Sequence, residues 1–215
     1  ELCQRPLCWY FREGGDLTST DVEQGDNRFH AILGNSVPAK FVSSSRIAPA
    51  LIALNAHLRI VGPDHSETLL AVRDFFRAPR QSGQRESVLG PQQLVSHIVL
   101  PPADGWTSAT YEVRHGAGPD YPLAAAAAAL RVDGLGVVRD ARVVMGQVAP
   151  TPWVSEPAQH TLIGLQLSPD VAEAAGEAAV VEATPLSHNE YKVQLAKVAV
   201  KRAILSAAGL ETGGF

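Results

Sequence analysis

Thiolates and imidazoles are the side chains best suited to holding a metal. This chain has two cysteines, Cys3 and Cys8, and seven histidines scattered along it. An iron-sulfur cluster or structural metal ordinarily takes four such ligands, so the Cys3-x4-Cys8 pair would have to recruit His30 or Asp16. Two unliganded thiols near the surface are the simpler reading, and no metal is expected. A disulfide across four intervening residues would restrain little chain. His57, His65, His97, His115, His160 and His188 stand apart and read as surface or satisfied structural residues. There is no Gly-x-Ser-x-Gly, no His-Glu-x-x-His, no phosphate loop ending in Gly-Lys-Ser/Thr and no Gly-x-Gly-x-x-Gly after a strand. Glu112, Arg114 and Asp120 flank a turn at 116–119 and are expected to be solvated strand-end charges. Trp106 and Trp153, each beside a turn, read as packing anchors.

The elements that must position these residues are legible from periodicity. Residues 14–27 are rich in Gly, Asp, Ser and Thr and read as an irregular insertion. A short helix is predicted over 47–56, capped by Ser44 or Ser45, with Ile47, Leu51 and Leu54 on one face and Pro49 in its first turn. Residues 57–61 alternate as a strand, Gly62, Pro63 and Asp64 turn the chain, and 69–76 resume apolar structure. The polar, basic stretch 77–85 marks a surface loop and a division near Gln84. Strands are predicted over 93–100, 107–115 and 137–148, the last entered through a tight turn at Asp133, Gly134 and Gly136. Its hairpin partner would be 121–132, although that segment contains six consecutive alanines, which favour helix by roughly 0.5 kcal/mol or more per residue over β-branched types. Helices are predicted over 157–165, from Ser168 to 183, and from Ser187 to about 206, the last burying Val193, Ala196, Val200 and Ile204.

Composition narrows the function classes. An apolar fraction of 46% and a charged fraction of 19% over 215 residues describe a chain with a real core, in one large or two small domains. A formal net charge of -4 gives no electrostatic footprint for nucleic acid or an anionic membrane. No apolar run approaches the roughly 20 residues of a membrane span, so a soluble, cytoplasmic protein is expected. The sequence opens at Glu1 without a methionine, in keeping with a processed, split or truncated product.

Five stretches in fixed order carry a resemblance. They are Gln4-Arg5-Pro6-Leu7-Cys8-Trp9-Tyr10-Phe11-Arg12, Asn27-Arg28-Phe29-His30-Ala31-Ile32-Leu33-Gly34 and Ala48-Pro49-Ala50-Leu51-Ile52-Ala53-Leu54. Next come Val137-Val138-Arg139-Asp140-Ala141-Arg142 running on to Val148-Ala149-Pro150-Thr151-Pro152-Trp153, and Pro185-Leu186-Ser187 with Asn189 and Tyr191-Lys192-Val193. Together they resemble the medium, FAD-binding subunit of the molybdenum hydroxylases, the family of xanthine dehydrogenase and carbon monoxide dehydrogenase. The likeness covers nearly the whole chain. It implies an α+β fold in which residues 1–84 form the second lobe of a two-lobed FAD-binding domain. Residues 86–206 would form a C-terminal domain, a three-stranded antiparallel sheet packed with helices. The first lobe and its Gly-rich pyrophosphate loop have no counterpart in these residues.

The resemblance further implies FAD as cofactor, with Gln4 and Ser45 as polar contacts and Leu94 and Val95 as an apolar edge on the flavin. Two positions depart from the pattern: the family's Ser-Asp pair reads Ser45-Arg46, and its lysine is replaced by Glu112. A base for an acid and an acid for a base could compensate electrostatically. The implied partners are a molybdopterin-bearing large subunit and an iron-sulfur small subunit, with a separate chain as one source of the first lobe. The implied role is electron transfer from the partner's iron-sulfur clusters through FAD to an acceptor, as an oxidoreductase subunit and not a self-sufficient enzyme. Two alternatives stay open: a flavin-free assembly or interaction module descended from that subunit, and a small-molecule enzyme reusing the flavin cleft.

Overall fold

In the computed structural model the described residues are 1–14, 21–116 and 120–213. Residues 117–119 of the turn expected at 116–119 and part of the insertion expected at 14–27 therefore fall outside them. Two antiparallel sheets organise the chain. The smaller has the order β2-β1-β3, built from β1 (His57–Val61), β2 (Glu67–Ala71) and β3 (Leu94–Val99). The larger has the order β4-β5-β6-β7, from β4 (Thr107–Val113), β5 (Ala124–Val132), β6 (Val138–Gly146) and β7 (Trp153–Val154). Helices α1 (Trp9–Gly14), α2 (Asp21–Gln24) and α3 (Ala48–Ala53) precede the sheets, and α4 (Glu156–Leu162), α5 (Pro169–Ala178) and α6 (Tyr191–Ala207) follow them.

The alanine run is strand β5, against its helix propensity. β5 is the second strand of the large sheet, paired with β4 and β6 and buried on both faces. Ala124, Ala126, Ala128 and Leu130 face the main core under α6, whereas Ala127 and Ala129 face a second core with Ile52, Leu58 and Phe75. A side chain no larger than methyl lets α6 and α3 approach the strand from opposite sides, so tertiary packing outweighs the local preference. The β5–β6 hairpin closes as expected. The Asp133 carboxylate accepts the N–H groups of Leu135 and Val137, and Gly136 takes the left-handed conformation, φ +77°.

Two differences from expectation matter for the site. The large sheet has four strands and not three, because Trp153 and Val154 add a short edge to β6. Strand β3 does not join that sheet. It lies beyond Gln84 yet pairs with β1, with a bulge that leaves Ser96 between His97 and Val95. The small sheet is therefore completed by a strand from the far side of the 77–85 loop.

The irregular segment 27–45 has few ladder bonds of its own, and buried polar side chains pin it to the C-terminal helices. The amide of Asn189 donates to the carbonyls of His30 and Ala31, and that of Asn35 to the carbonyls of Ala31 and Thr184. Val148 accepts the N–H groups of both Ile32 and Leu33. Each bond satisfies a backbone group that burial would otherwise leave unpaired. No helix among the described residues is long and apolar enough to cross a membrane.

Candidate functional site

Gln4, Arg46 and Glu112, far apart in sequence, converge on the seam between the 1–46 segment and the large sheet. Arg46 lies two residues before α3, and Glu112 lies near the end of β4. Arg46 grips Glu112 with two donors, Nε to Oε1 at 3.2 Å and a terminal nitrogen to Oε2 at 2.8 Å. Both side chains are largely covered, at 31% and 20% exposure. The exchanged acid and base therefore compensate by direct contact. Glu112 is not the solvated strand-end charge that its place beside a turn suggests, since Arg114 approaches the same carboxylate from β4's own end. Burial pushes the Glu112 carboxyl up, but the two guanidinium groups outweigh that effect and hold it below the usual glutamate range. The Glu1 carboxylate accepts the backbone N–H of Arg46 at 3.0 Å, and the Gln4 amide donates to the Tyr121 hydroxyl.

The other residues assigned by resemblance sit differently. Ser45 is 2% exposed, and its hydroxyl accepts the Ala48 N–H at the head of α3, which leaves its own O–H as the remaining donor. Leu94 is 56% exposed on strand β3, while its neighbour Val95 turns inward onto the second core. Of the four residues weighed above as metal ligands, Cys8 and His30 meet, Sγ to Nε2 at 3.1 Å. Cys3 is exposed, and Asp16 lies outside the described residues. No group of three His, Cys, Asp or Glu side chains that could hold a metal occurs among the described residues.

A cavity of about 900 Å³ opens beside Tyr121. Leu7, Tyr10, Phe29, Phe41 and Leu123 wall it, and Ser44, His30, Gln147 and Lys192 contribute polar atoms. Lys192, at 1% exposure, donates to three carbonyls: Phe29 and His30 at 3.0 Å and Gln147 at 2.8 Å. Burial pushes its ammonium down to about 7. This lysine was not singled out from the sequence as a site residue. The available signal was its spacing, because 192, 196, 199, 203 and 207 form one buried stripe on α6.

Bound FAD would ask two things of its pocket: an apolar edge with polar partners for the ring, and backbone N–H groups in a glycine cradle for the pyrophosphate. Leu94 and Gln4 are exposed, and Arg46 and Glu112 are half-covered. None of the seam residues Glu1, Gln4, Arg46, Glu112, Arg114 and Tyr121 is a glycine, so these residues do not by themselves form such a cradle.

Comparison with known proteins supplies the context. Residues 109–207 match the CO dehydrogenase flavoprotein C-terminal domain, spanning β4 to α6. The chain is 29% identical to the aldehyde oxidoreductase FAD-binding subunit PaoB of Escherichia coli, over 91% of this chain and 60% of that one. It is 30% identical to the carbon monoxide dehydrogenase medium chain of Afipia carboxidovorans, over 73% of this chain and 54% of the relative. Among solved structures, carbon monoxide dehydrogenase from Hydrogenophaga pseudoflava superimposes with a TM-score of 0.64 at 26% identity, covering 75% of this chain and 55% of that one. The family resemblance and the α+β fold read from the sequence are thereby borne out. The chain spans between about half and three fifths of the length of these relatives.

Proposed function

We propose that this chain, a relative of the FAD-binding medium subunits of carbon monoxide dehydrogenase and aldehyde oxidoreductase, holds the ring end of an FAD site. In this reading it serves electron transfer in a molybdenum hydroxylase-type complex. The observation that carries the reading is the seam: Gln4, a flavin contact by resemblance, bonds Tyr121, and Arg46 and Glu112, the two departures from the family pattern, pair with each other. When bound, FAD supplies a ring that accepts electrons in pairs and releases them singly or in pairs. The chain's own residues orient it. Leu94 offers an apolar edge, the exposed Gln4 amide offers a hydrogen bond, and the Arg46–Glu112 pair sets the local field with opposite signs held in fixed order.

Since the described seam residues do not grip a pyrophosphate, that end of the cofactor is assigned to a first lobe, in this protein or on a separate chain. The partners proposed are an iron-sulfur subunit delivering electrons and a molybdopterin-bearing subunit that oxidises the substrate, all in the cytoplasm. Division of the chain near Gln84 into a partial FAD-binding unit and a C-terminal unit belongs to the same proposal. The test is a visible absorption spectrum of the purified chain mixed with FAD, before and after gel filtration. A perturbed flavin band that is lost or diminished on the column supports a ring-end site. A spectrum identical to free FAD at every protein concentration contradicts it.

A further inference from the structure

Two buried side chains on the cavity beside Tyr121 keep polar atoms that nothing in the protein bonds. Gln147 and Ser44 both line it, at 3% and 4% exposure. Among the described residues, neither the Gln147 side-chain carbonyl nor the Ser44 hydroxyl has a hydrogen-bond partner, yet neither oxygen is sealed off. The sealed atom of Gln147 is its amide nitrogen, so Oε1 is the end of that amide which borders open space. For Gln147 that space is the cavity of about 900 Å³. Ser44 also borders a hollow of about 40 Å³, which has room for little more than a water molecule. The segments that carry the two residues lie side by side, since the Ser43 N–H donates to the Ala149 carbonyl at 2.9 Å. Buried polar groups are ordinarily paired, so two open ones on a single cavity point to a ligand that completes them.

The chemistry of the lining selects the ligand. Gln147 Oε1 is an acceptor, and the Ser44 hydroxyl donates or accepts. The charged side chains balance. Asp26 is gripped by two donors of Arg28, each at 2.8 Å, and the Lys192 ammonium, enclosed by three carbonyls, is offset by the opposite charge of Asp120 on the same lining. An anion would meet the Gln147 carbonyl and two carboxylates, whereas a cation would meet Arg28 and Lys192. A neutral group with one N–H and one C=O meets neither penalty. The remaining walls are apolar and partly aromatic, from Leu7, Tyr10, Phe29, Phe41 and Leu123. The volume lies within the usual range for small-molecule sites.

We propose that this cavity binds a small neutral aromatic amide, its ring among Tyr10, Phe41 and Leu123, its N–H donating to Gln147 Oε1 and its carbonyl accepting from the Ser44 hydroxyl. This goes beyond the flavin reading, since Ser45, Leu94, Val95, Arg46 and Glu112 do not line the cavity. Calorimetric titration of the purified chain at neutral pH, with benzamide as probe, tests it. Benzoate and benzamidine keep the ring and shape but carry a negative and a positive charge, and acetamide keeps the amide and loses the ring. Saturable benzamide binding, with all three comparisons at least about tenfold weaker, is expected. Gln147→Met, which removes the acceptor and keeps the length of the side chain, should weaken benzamide binding by about tenfold, and Ser44→Ala should do the same. Leu123→Trp, which fills the cavity from its wall, should abolish binding while circular dichroism shows the fold intact. Saturating FAD should leave benzamide affinity unchanged. Absence of saturation, binding of benzoate or benzamidine as tight as that of benzamide, or indifference to the substitutions would each overturn the proposal. Competition by FAD would overturn it too, by assigning the cavity to the flavin site.

Discussion

At the scale of single residues, the Arg46–Glu112 bridge is the most informative feature. It links two segments 66 positions apart, and the sequence comparison with the family raised the idea of mutual compensation without showing contact. Arg46→Asp places a carboxylate against Glu112 and should cost about 1–2 kcal/mol in urea unfolding. The double change Arg46→Asp with Glu112→Lys restores opposite signs and should recover most of that loss, giving a coupling energy in a double-mutant cycle. Simple additivity of the two single changes would show that the pair does not interact. Because Glu112 is held below its usual range, its contribution is present above the unfolded glutamate pKa and is lost as pH falls through the lower folded value.

Lys192 has the same sign of dependence, in a higher pH window. Its folded value, about 7, lies below the ordinary 10.5, so between these values the unfolded chain binds more protons than the folded one. Its contribution to stability should therefore rise with pH through that window and stay flat below about 7. The stability difference between the wild type and Lys192→Met, measured by urea unfolding near pH 6, 8 and 9.5, isolates this effect from other groups. A difference independent of pH would show that the three carbonyls keep the ammonium charged throughout.

At the scale of elements, the run of alanines shows what local pattern can and cannot disclose. The turn chemistry at Asp133 and Gly136 was a sufficient signal for the β5–β6 hairpin, even though the alanines alone favour helix. The reason they fit a strand is visible only in three dimensions, where helices close on both faces. Ala128→Leu should therefore destabilise the chain by about 1–3 kcal/mol through overpacking beneath α6. Gly176→Ala belongs to the same geometry: a Cβ there would sit 2.7 Å from the Lys197 carbonyl and force α5 away from α6. Chemical denaturation checks both, and a neutral Gly176→Ala would mean that the helices can separate at no cost. Helices α3 to α6, strands β1, β3, β4 and β6 and most of the buried stripe of α6 were legible from periodicity, whereas α1, α2 and the two-residue β7 were not. The partner of β3 was not, because strand pairing across a surface loop leaves no local trace. The same holds for the seam and for the cavity, whose residues come from segments as distant as Cys8 and Lys192.

At the scale of the whole molecule, the pairing of β3 with β1 bears on how the two proposed units are joined. Trypsin should cut the exposed basic loop at Arg80 or Arg85. The fragments should nonetheless elute together from a sizing column, since the small sheet draws strands from both sides of the cut. Fragments that separate freely would show that the small sheet does not hold across the loop. The central claim is that this chain holds the ring end of a flavin site and leaves the pyrophosphate to another lobe. Titration with lumiflavin, FAD and ADP, followed by flavin fluorescence and by calorimetry, tests it most directly. The account predicts saturable binding of lumiflavin and FAD within about tenfold of each other, and none of ADP. Binding of ADP, or of FAD with no affinity for lumiflavin, would contradict it.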